Sequence, residues 1–199
     1  MIDPSNITNY NLNDTELEEH ILFWILAAGK TGSGAAHRLE LLLSALTYNN
    51  RSPFITIKEV YESKTPHPLS VCMRNFGIGC YNLKSKTFYD LATSGLDLRV
   101  CSTEDLEKIK GIGPKTARCF ILHSRKGARL SGLDTHMLKH LREMGVEDVP
   151  KSTPPSKKRY MILEQEVLRL SDEAGMGAAE YDLKVWNNYS NREKDNIFI

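Results

Sequence analysis

Apolar residues recur every three or four positions along most of the chain, which is the spacing of amphipathic helices. This spacing, interrupted by Gly and Pro, predicts helices over residues 15–28, 39–46, 56–63, 69–76, 83–92, 114–123, 134–144, 155–170 and 178–189, with a short helix beginning at Ser102. The segment Gly29 to Gly34 is predicted to break the helical run. No segment alternates apolar and polar residues as a half-buried strand would. The predicted fold class is therefore all-α, with about ten helices.

The composition places the chain among globular proteins. It has 199 residues, of which 41% are hydrophobic and 26% are charged, and these values exclude a disordered or fibrous protein. The longest apolar run, 21–28, is too short to cross a bilayer, and residues 1–14 lack the basic start of a signal peptide. We therefore expect an intracellular protein that has no membrane partner.

Basic residues cluster in a chain whose net charge is only +1. Residues 108–129 contain seven Lys or Arg and no Asp or Glu, and a second basic cluster lies at 151–159. Two solvated faces would explain this pattern, and so would a local surface for a polyanion.

Residues 106–117 carry the most informative motif. Gly111 and Gly113 bracket Ile112 in a tight turn, and Pro114 suits the first position of a new helix. A helix, a hairpin and a second helix with open amides at its positive end can bind a DNA phosphate without reading sequence. An ordinary helix turn that ends at a glycine is the alternative.

The segment 106–141 resembles the helix-hairpin-helix DNA glycosylase superfamily, which includes endonuclease III and the 8-oxoguanine glycosylases. Lys115 lies two residues after Gly113, and Asp134 follows 19 residues later in the sequence Leu-Asp-Thr-His. Weaker resemblance covers 41–47 and 76–92. No Cys follows Cys119, so an iron–sulfur cluster like that of endonuclease III is not expected, and the pattern favours the cluster-free 8-oxoguanine branch.

The resemblance implies an architecture of two helical subdomains. Residues 34–129, with the hairpin at 106–117, would form the central one, and 1–33 with 130–199 would form the second. Lys115 and Asp134 would flank the cleft between them. The resemblance also allows a structural monovalent cation at the hairpin.

Lys115 and Asp134 are the predicted catalytic residues. The helix dipole, neighbouring positive charges and burial would favour a neutral Lys115 amine that attacks C1′ of a nucleoside, although a phosphate contact remains the alternative. Asp134 would cap the next helix and stabilise the positive charge that develops as the base leaves. His136 is predicted to bond the backbone or a phosphate, or to lie in the core.

Further residues are predicted to bind DNA or to hold an extruded base. The predicted DNA-binding residues are Lys110, Gly111, Gly113, Arg118, Asn49, Asn50, Arg51 and His136. The stretch 49–51 would fill the gap that base flipping leaves, or would be a plain polar turn. Candidates for the base pocket are Trp24, Phe76, Tyr81, Asp182, Trp186 and Tyr189. His123 is expected at the surface, and Cys72, Cys80, Cys101 and Cys119 are expected to be reduced and buried.

The resemblance implies a monomeric DNA glycosylase that excises a modified base from double-stranded DNA, with 8-oxoguanine favoured and with associated AP-lyase activity. Such an enzyme would be cytoplasmic and associated with the nucleoid, or otherwise intracellular. A glycosylase that removes a bulky hypermodified base from phage DNA in defence is the second hypothesis. A non-catalytic helix-hairpin-helix module that only holds DNA is the third.

Overall fold

The computed structural model of the chain describes residues 2–46, 51–63 and 68–195, with side chains up to Ser190. This part of the chain is helical and contains no strand. Ten α-helices follow a short 3₁₀ turn at Pro4–Asn6, and they are α1 Asp14–Ala27, α2 Gly32–Leu46, α3 Pro53–Glu62, α4 Leu69–Asn75, α5 Tyr81–Ala92, α6 Thr103–Glu107, α7 Pro114–Ser124, α8 Thr135–Glu143, α9 Lys157–Glu173 and α10 Ala178–Asp195. The predicted all-α fold is therefore confirmed.

One predicted boundary is wrong. The segment Gly29 to Gly34 does not break the helical run throughout, because α2 already begins at Gly32. The Thr31 hydroxyl accepts a hydrogen bond from the Gly34 amide, and such a cap offsets the low helix propensity of glycine.

The buried apolar residues form two clusters. The larger cluster contains side chains from residues 7–121, and the smaller one contains side chains from 133–189 of α8, α9, α10 and the segment before α8. The buried apolar residues of α1 belong to the larger cluster, and the division of the chain into two subdomains stays a prediction. Helix α1 is buried on several faces and packs against α2, α3, α5 and α7, so it is a central helix.

Helix α7 lies where the two clusters meet. Its buried residues Ala117 and Phe120 belong to the larger cluster, while the helix also contacts α10. The loop that leaves α7 leads through residues 125–134 into α8 of the smaller cluster. Within the described residues, no helix is both long and apolar enough to span a membrane.

Candidate DNA-binding and catalytic site

Two glycines form the hairpin between α6 and α7, and only one of them has a backbone conformation that requires glycine. Gly111 has φ of +101°, which favours glycine, and an added Cβ would lie 2.2 Å from Thr87 Oγ1. The Thr87 hydroxyl donates a 2.7 Å hydrogen bond to the Lys110 carbonyl, so α5 supports the turn. Gly113 has an ordinary φ of −97°, and its missing side chain leaves open space.

The N-terminus of α7 is open to a ligand. Gly113 occupies the N-cap, no side chain bonds the first amides, and Pro114 is the first helical residue. The amides of a first turn need an acceptor, and a phosphate oxygen can take that place. The half-buried Lys115 is the next residue of this turn, and its Nζ lies 6.0 Å from the centre of the Trp24 ring.

Asp134 is the N-cap of α8. One carboxylate oxygen accepts a 2.8 Å hydrogen bond from the Met137 amide. Burial raises the pKa of Asp134, the nearby positive charge of Lys115 opposes that shift, and the negative charge of Asp182 adds to it. The structure therefore brings together Lys115, Asp134 and Asp182, although 67 positions separate the first from the last.

Close packing at Gly132 holds the loop before Asp134 against α7. A Cβ added to Gly132 would lie 2.1 Å from Cys119 Sγ and 3.9 Å from Lys115 Cγ. Only a residue without a side chain fits this approach. The loop therefore carries Asp134 directly to the face of α7 that bears Lys115.

Lys115, Cys119 and His123 lie at successive helical turns and form one stripe along α7. Burial raises the pKa of the Cys119 thiol, so the neutral thiol is favoured. The His123 ring stacks on Trp24 at a centroid distance of 5.4 Å, and its Nε2 lies 3.2 Å from Asp182 Oδ2. This stripe of polar groups faces α1 and α10.

The prediction that His123 lies at the surface is wrong. His123 is 1% exposed, and its Nδ1 lies 2.8 Å from the Thr8 hydroxyl. A donor proton on Nε2 fits the Asp182 carboxylate, and Nδ1 then accepts from Thr8. No local pattern around His123 could have identified partners that are 115 and 59 positions away.

The candidates for the base pocket lie in different places. Trp24 and Asp182 lie beside Lys115 and Asp134, as described above. Trp186 is on α10, where its ring lies 6.4 Å from His136. Phe76 packs on the larger cluster, and Tyr81 begins α5, with the Arg74 guanidinium 6.0 Å from its ring.

Tyr189 lies on the same face of α10 as Trp186. Its ring is 6.2 Å from the His136 ring, and its hydroxyl donates a 2.6 Å hydrogen bond to Glu143. His136, in the first turn of α8, therefore faces two aromatic rings of α10.

The predicted phosphate contact of Arg118 is wrong. Its side chain is 5% exposed, and it donates to Glu164 at 3.0 Å and to Glu107 at 2.7 Å. The guanidinium also lies 4.6 Å from the centre of the Tyr160 ring. A buried cation that is held by two acidic partners cannot reach a DNA backbone outside the protein.

Other predicted DNA contacts lie at the surface. Lys110 is exposed, and Arg51 is exposed with Glu59 at 3.4 Å. Asn49 and Asn50 lie outside the described residues. Their predicted role in filling the DNA gap stays a prediction.

Acidic residues from outside the basic segment 108–129 pair with three of its seven cations, one of which is Arg118. Lys108 pairs with Asp105 at 2.8 Å, and Arg129 pairs with Asp172 at 2.8 Å. Arg125 donates to the Leu98 carbonyl and to Cys101 Sγ. The segment therefore offers fewer unpaired cations to DNA than the sequence implies. Lys110 and Lys126 are exposed and form no ion pair with any described residue.

None of the four cysteines, all of which lie within the described residues, forms a disulfide, and they differ in exposure. Cys101 and Cys119 are buried as expected, but Cys72 is half-buried and Cys80 is exposed. Cys80 is exposed because it forms the N-cap of α5 with φ of +54° in a surface turn. Across the described ranges, no group of three or more His, Cys, Asp or Glu side chains could hold a metal ion.

Comparison with known proteins supports this description. The helix-hairpin-helix motif family matches residues 96–123. An 8-oxoguanine DNA glycosylase/AP lyase of Thermotoga sp. (strain RQ2) is 35% identical over 78 residues, which are 39% of this chain and 36% of that relative. The chain therefore aligns with little more than a third of that relative's length.

Solved structures show the same fold. The 8-oxoguanine DNA glycosylase of Thermotoga maritima superposes with a TM-score of 0.65 at 19% identity, covering 86% of this chain and 78% of that one. The 8-oxoguanine glycosylase/lyase of Methanocaldococcus jannaschii, in complex with a 15-mer DNA containing 8-oxoguanine, superposes with a TM-score of 0.67 at 19% identity, covering 91% and 84%. The resemblance to the helix-hairpin-helix glycosylases is confirmed at the level of motif and fold.

Proposed function

We propose that this chain, which has the fold of the helix-hairpin-helix DNA glycosylases, excises a modified base from double-stranded DNA and then cleaves the abasic site. The observation that carries the proposal is the meeting of Lys115, in the first turn of α7, with Asp134, the N-cap of α8. An amine and a carboxylate beside an open helix N-terminus supply a nucleophile, a counter-charge and a phosphate site together.

In the first step, the Lys115 amine attacks C1′ of the extruded nucleoside. The lone pair of Nζ forms the new C–N bond, the glycosidic bond breaks, and its electron pair leaves with the base, which takes up a proton. The Asp134 carboxylate stabilises the positive charge that develops on the sugar. Because burial raises the pKa of Asp134, this carboxylate can also accept the proton that the attacking amine must lose.

In the second step, the sugar ring opens to a Schiff base on Lys115. Removal of a proton from C2′ sends its electron pair toward the imine, and the C3′–O bond breaks with the phosphate as leaving group. This β-elimination is the lyase activity. Water then hydrolyses the Schiff base and frees Lys115 for another cycle.

The extruded base would lie beside Trp24 and Asp182. Trp24 is within 6.0 Å of the Lys115 ammonium and offers an aromatic face. The Asp182 carboxylate bonds His123 through one oxygen and can accept an N–H of a base through the other. We favour 8-oxoguanine as the base, since it is the lesion named for the relatives with this fold.

We infer that DNA is bound by the open amides of α7 and by Lys110, with the protein acting as a monomer on intracellular DNA. Arg51, His136, Phe76, Tyr81 and Trp186 stay predicted contacts.

We further propose that no iron–sulfur cluster takes part, because the four cysteines lie on separate elements between Cys72 and Cys119. A monovalent cation at the hairpin carbonyls also stays a prediction.

A base-release assay tests the proposal. The wild-type chain and Asp134→Asn are incubated in excess with duplexes that contain one 8-oxoguanine, one hypermodified cytosine or no modification, and alkali then cleaves abasic sites. We expect release of 8-oxoguanine by the wild type and loss of release, with retained binding, in Asp134→Asn. Release of the hypermodified cytosine alone would identify a defence enzyme, and DNA binding without release of any base would identify a holding module.

A further inference from the structure

Helix α9 directs two buried polar side chains at the loop before Asp134. The Tyr160 hydroxyl donates to the Ser131 carbonyl at 2.9 Å and accepts from the Leu133 amide at 2.9 Å. One turn later on α9, Glu164 Oε1 accepts from the Ser131 amide at 2.9 Å. Three backbone groups of the loop are therefore fixed by side chains of one helix.

The same Glu164 oxygen also bonds α7. It accepts from Arg118 Nε at 3.0 Å, and Arg118 lies three residues after Lys115 on that helix. Glu164 thus joins the helix that carries Lys115 to the loop that carries Asp134. Neither Tyr160 nor Glu164 has been assigned a part in the chemistry.

Stability alone does not account for this network. A buried ion pair costs much of its attraction in desolvation, and apolar residues of similar volume often stabilise a core as well or better. Buried polar networks do fix one geometry of the groups that they join, because each member is satisfied in only one arrangement. A fixed geometry matters most where two reacting groups must meet.

We propose that Tyr160 and Glu164 are positioning residues that set the place of the Asp134 carboxylate relative to the Lys115 amine. The inference rests on the proposed glycosylase function. It adds that excision requires the contacts between α9 and the loop, although α9 carries neither reacting group. Misplacement of a catalytic group by about 1 Å can cost about 100-fold in rate.

The test compares two buried tyrosines in the same cluster. Tyr160→Phe removes the hydroxyl that bonds the loop, and Tyr181→Phe removes a hydroxyl that bonds His140 Nε2 at 2.7 Å. Tyr160→Phe loses two buried hydrogen bonds and Tyr181→Phe loses one that is partly buried, but only the first change releases Leu133 and Ser131. Thermal unfolding, affinity for 8-oxoguanine duplex and single-turnover excision are measured for each.

We expect Tyr160→Phe to excise about 10-fold to 100-fold more slowly than Tyr181→Phe, with a melting temperature about 2–4 °C lower for the one extra hydrogen bond lost, and with DNA affinity within about threefold of wild type. Hydrogen exchange at the Leu133 amide should be faster in Tyr160→Phe only. A second pair of variants tests the same inference at Glu164. The excision rate of Glu164→Ala should fall further than that of Glu107→Ala, because both lose an ion pair with Arg118 but only Glu164 bonds the loop.

Equal excision rates within each pair, with an active wild type, would overturn the inference. So would equal exchange at Leu133 in the two tyrosine variants. Failure of the proposed function has a different signature: the wild type would release no base, while the exchange measurement would still show whether Tyr160 orders the loop.

Discussion

Replacing Gly132 by Ala should force apart the two structural elements that carry the reacting groups. The new Cβ would lie 2.1 Å from Cys119 Sγ, whereas nonbonded heavy atoms prefer about 3.5–4.0 Å, so the loop must move by about 1.5 Å. The backbone of Gly132 does not have the positive φ that would penalise Ala, so packing is the cause of the effect. Overpacking of this kind costs about 1–3 kcal/mol, and we also expect excision to fall about 100-fold.

A second substitution makes this prediction quantitative. Cys119→Ala removes the colliding sulfur and leaves Cys119 Cβ at 3.6 Å, an ordinary contact. Alone it should cost about 1 kcal/mol, because it deletes one buried heavy atom. Unfolding in urea should show the double variant to be more stable than the sum of the two single effects by at least about 1 kcal/mol, with excision partly restored. Additive free energies of unfolding, with no recovery of excision, would refute the close approach.

Three further predictions test separate parts of the structure. Asp134→Asn should be more stable than Asp134→Ala by about 1 kcal/mol in urea unfolding, because only Asn can still cap α8, and equal stabilities would argue against the cap. Lys110→Ala should lower the slope of log affinity against log salt by about one, with Lys58→Ala, an exposed lysine of α3, as the control; equal slopes would exclude Lys110 from the DNA contact. Burial lowers the pKa of His20 to about 4, so the unfolded chain binds a proton more readily and stability falls as pH drops from about 6.5 toward 4. Between pH 7 and pH 5 the free energy of unfolding of His20→Gln should therefore fall by about 2 kcal/mol less than that of wild type. An equal fall in the two proteins would refute this linkage.

The helices could be predicted from the sequence because helical periodicity and capping are local. Asn13, Ser102 and Asp134 are all followed by helices, and each one caps through its side chain. Lys115 and Asp134 could be paired because a resemblance supplied their spacing. The two residues lie close together because Gly132 packs against α7. Nothing in the sequence around Gly132 distinguishes it from an ordinary loop glycine.

The charge and burial of individual residues were harder to predict. Arg118 was expected to face DNA because no acidic residue occurs near it in 108–129, but its partner Glu164 comes from 46 positions away. His123 was expected at the surface, but its partner Asp182 comes from 59 positions away. Counting charges within one segment ignores acids that the fold brings from other helices, and at both positions those remote acids determine the side chain's environment.

Reductive trapping on DNA tests whether Lys115 is the nucleophile. The chain is mixed with a duplex containing one 8-oxoguanine in the presence of borohydride, and the cross-linked peptide is identified by mass spectrometry. We expect a covalent adduct on Lys115 that forms with wild type and is absent with Lys115→Gln. An adduct on another amine, or undiminished trapping by Lys115→Gln, would contradict it.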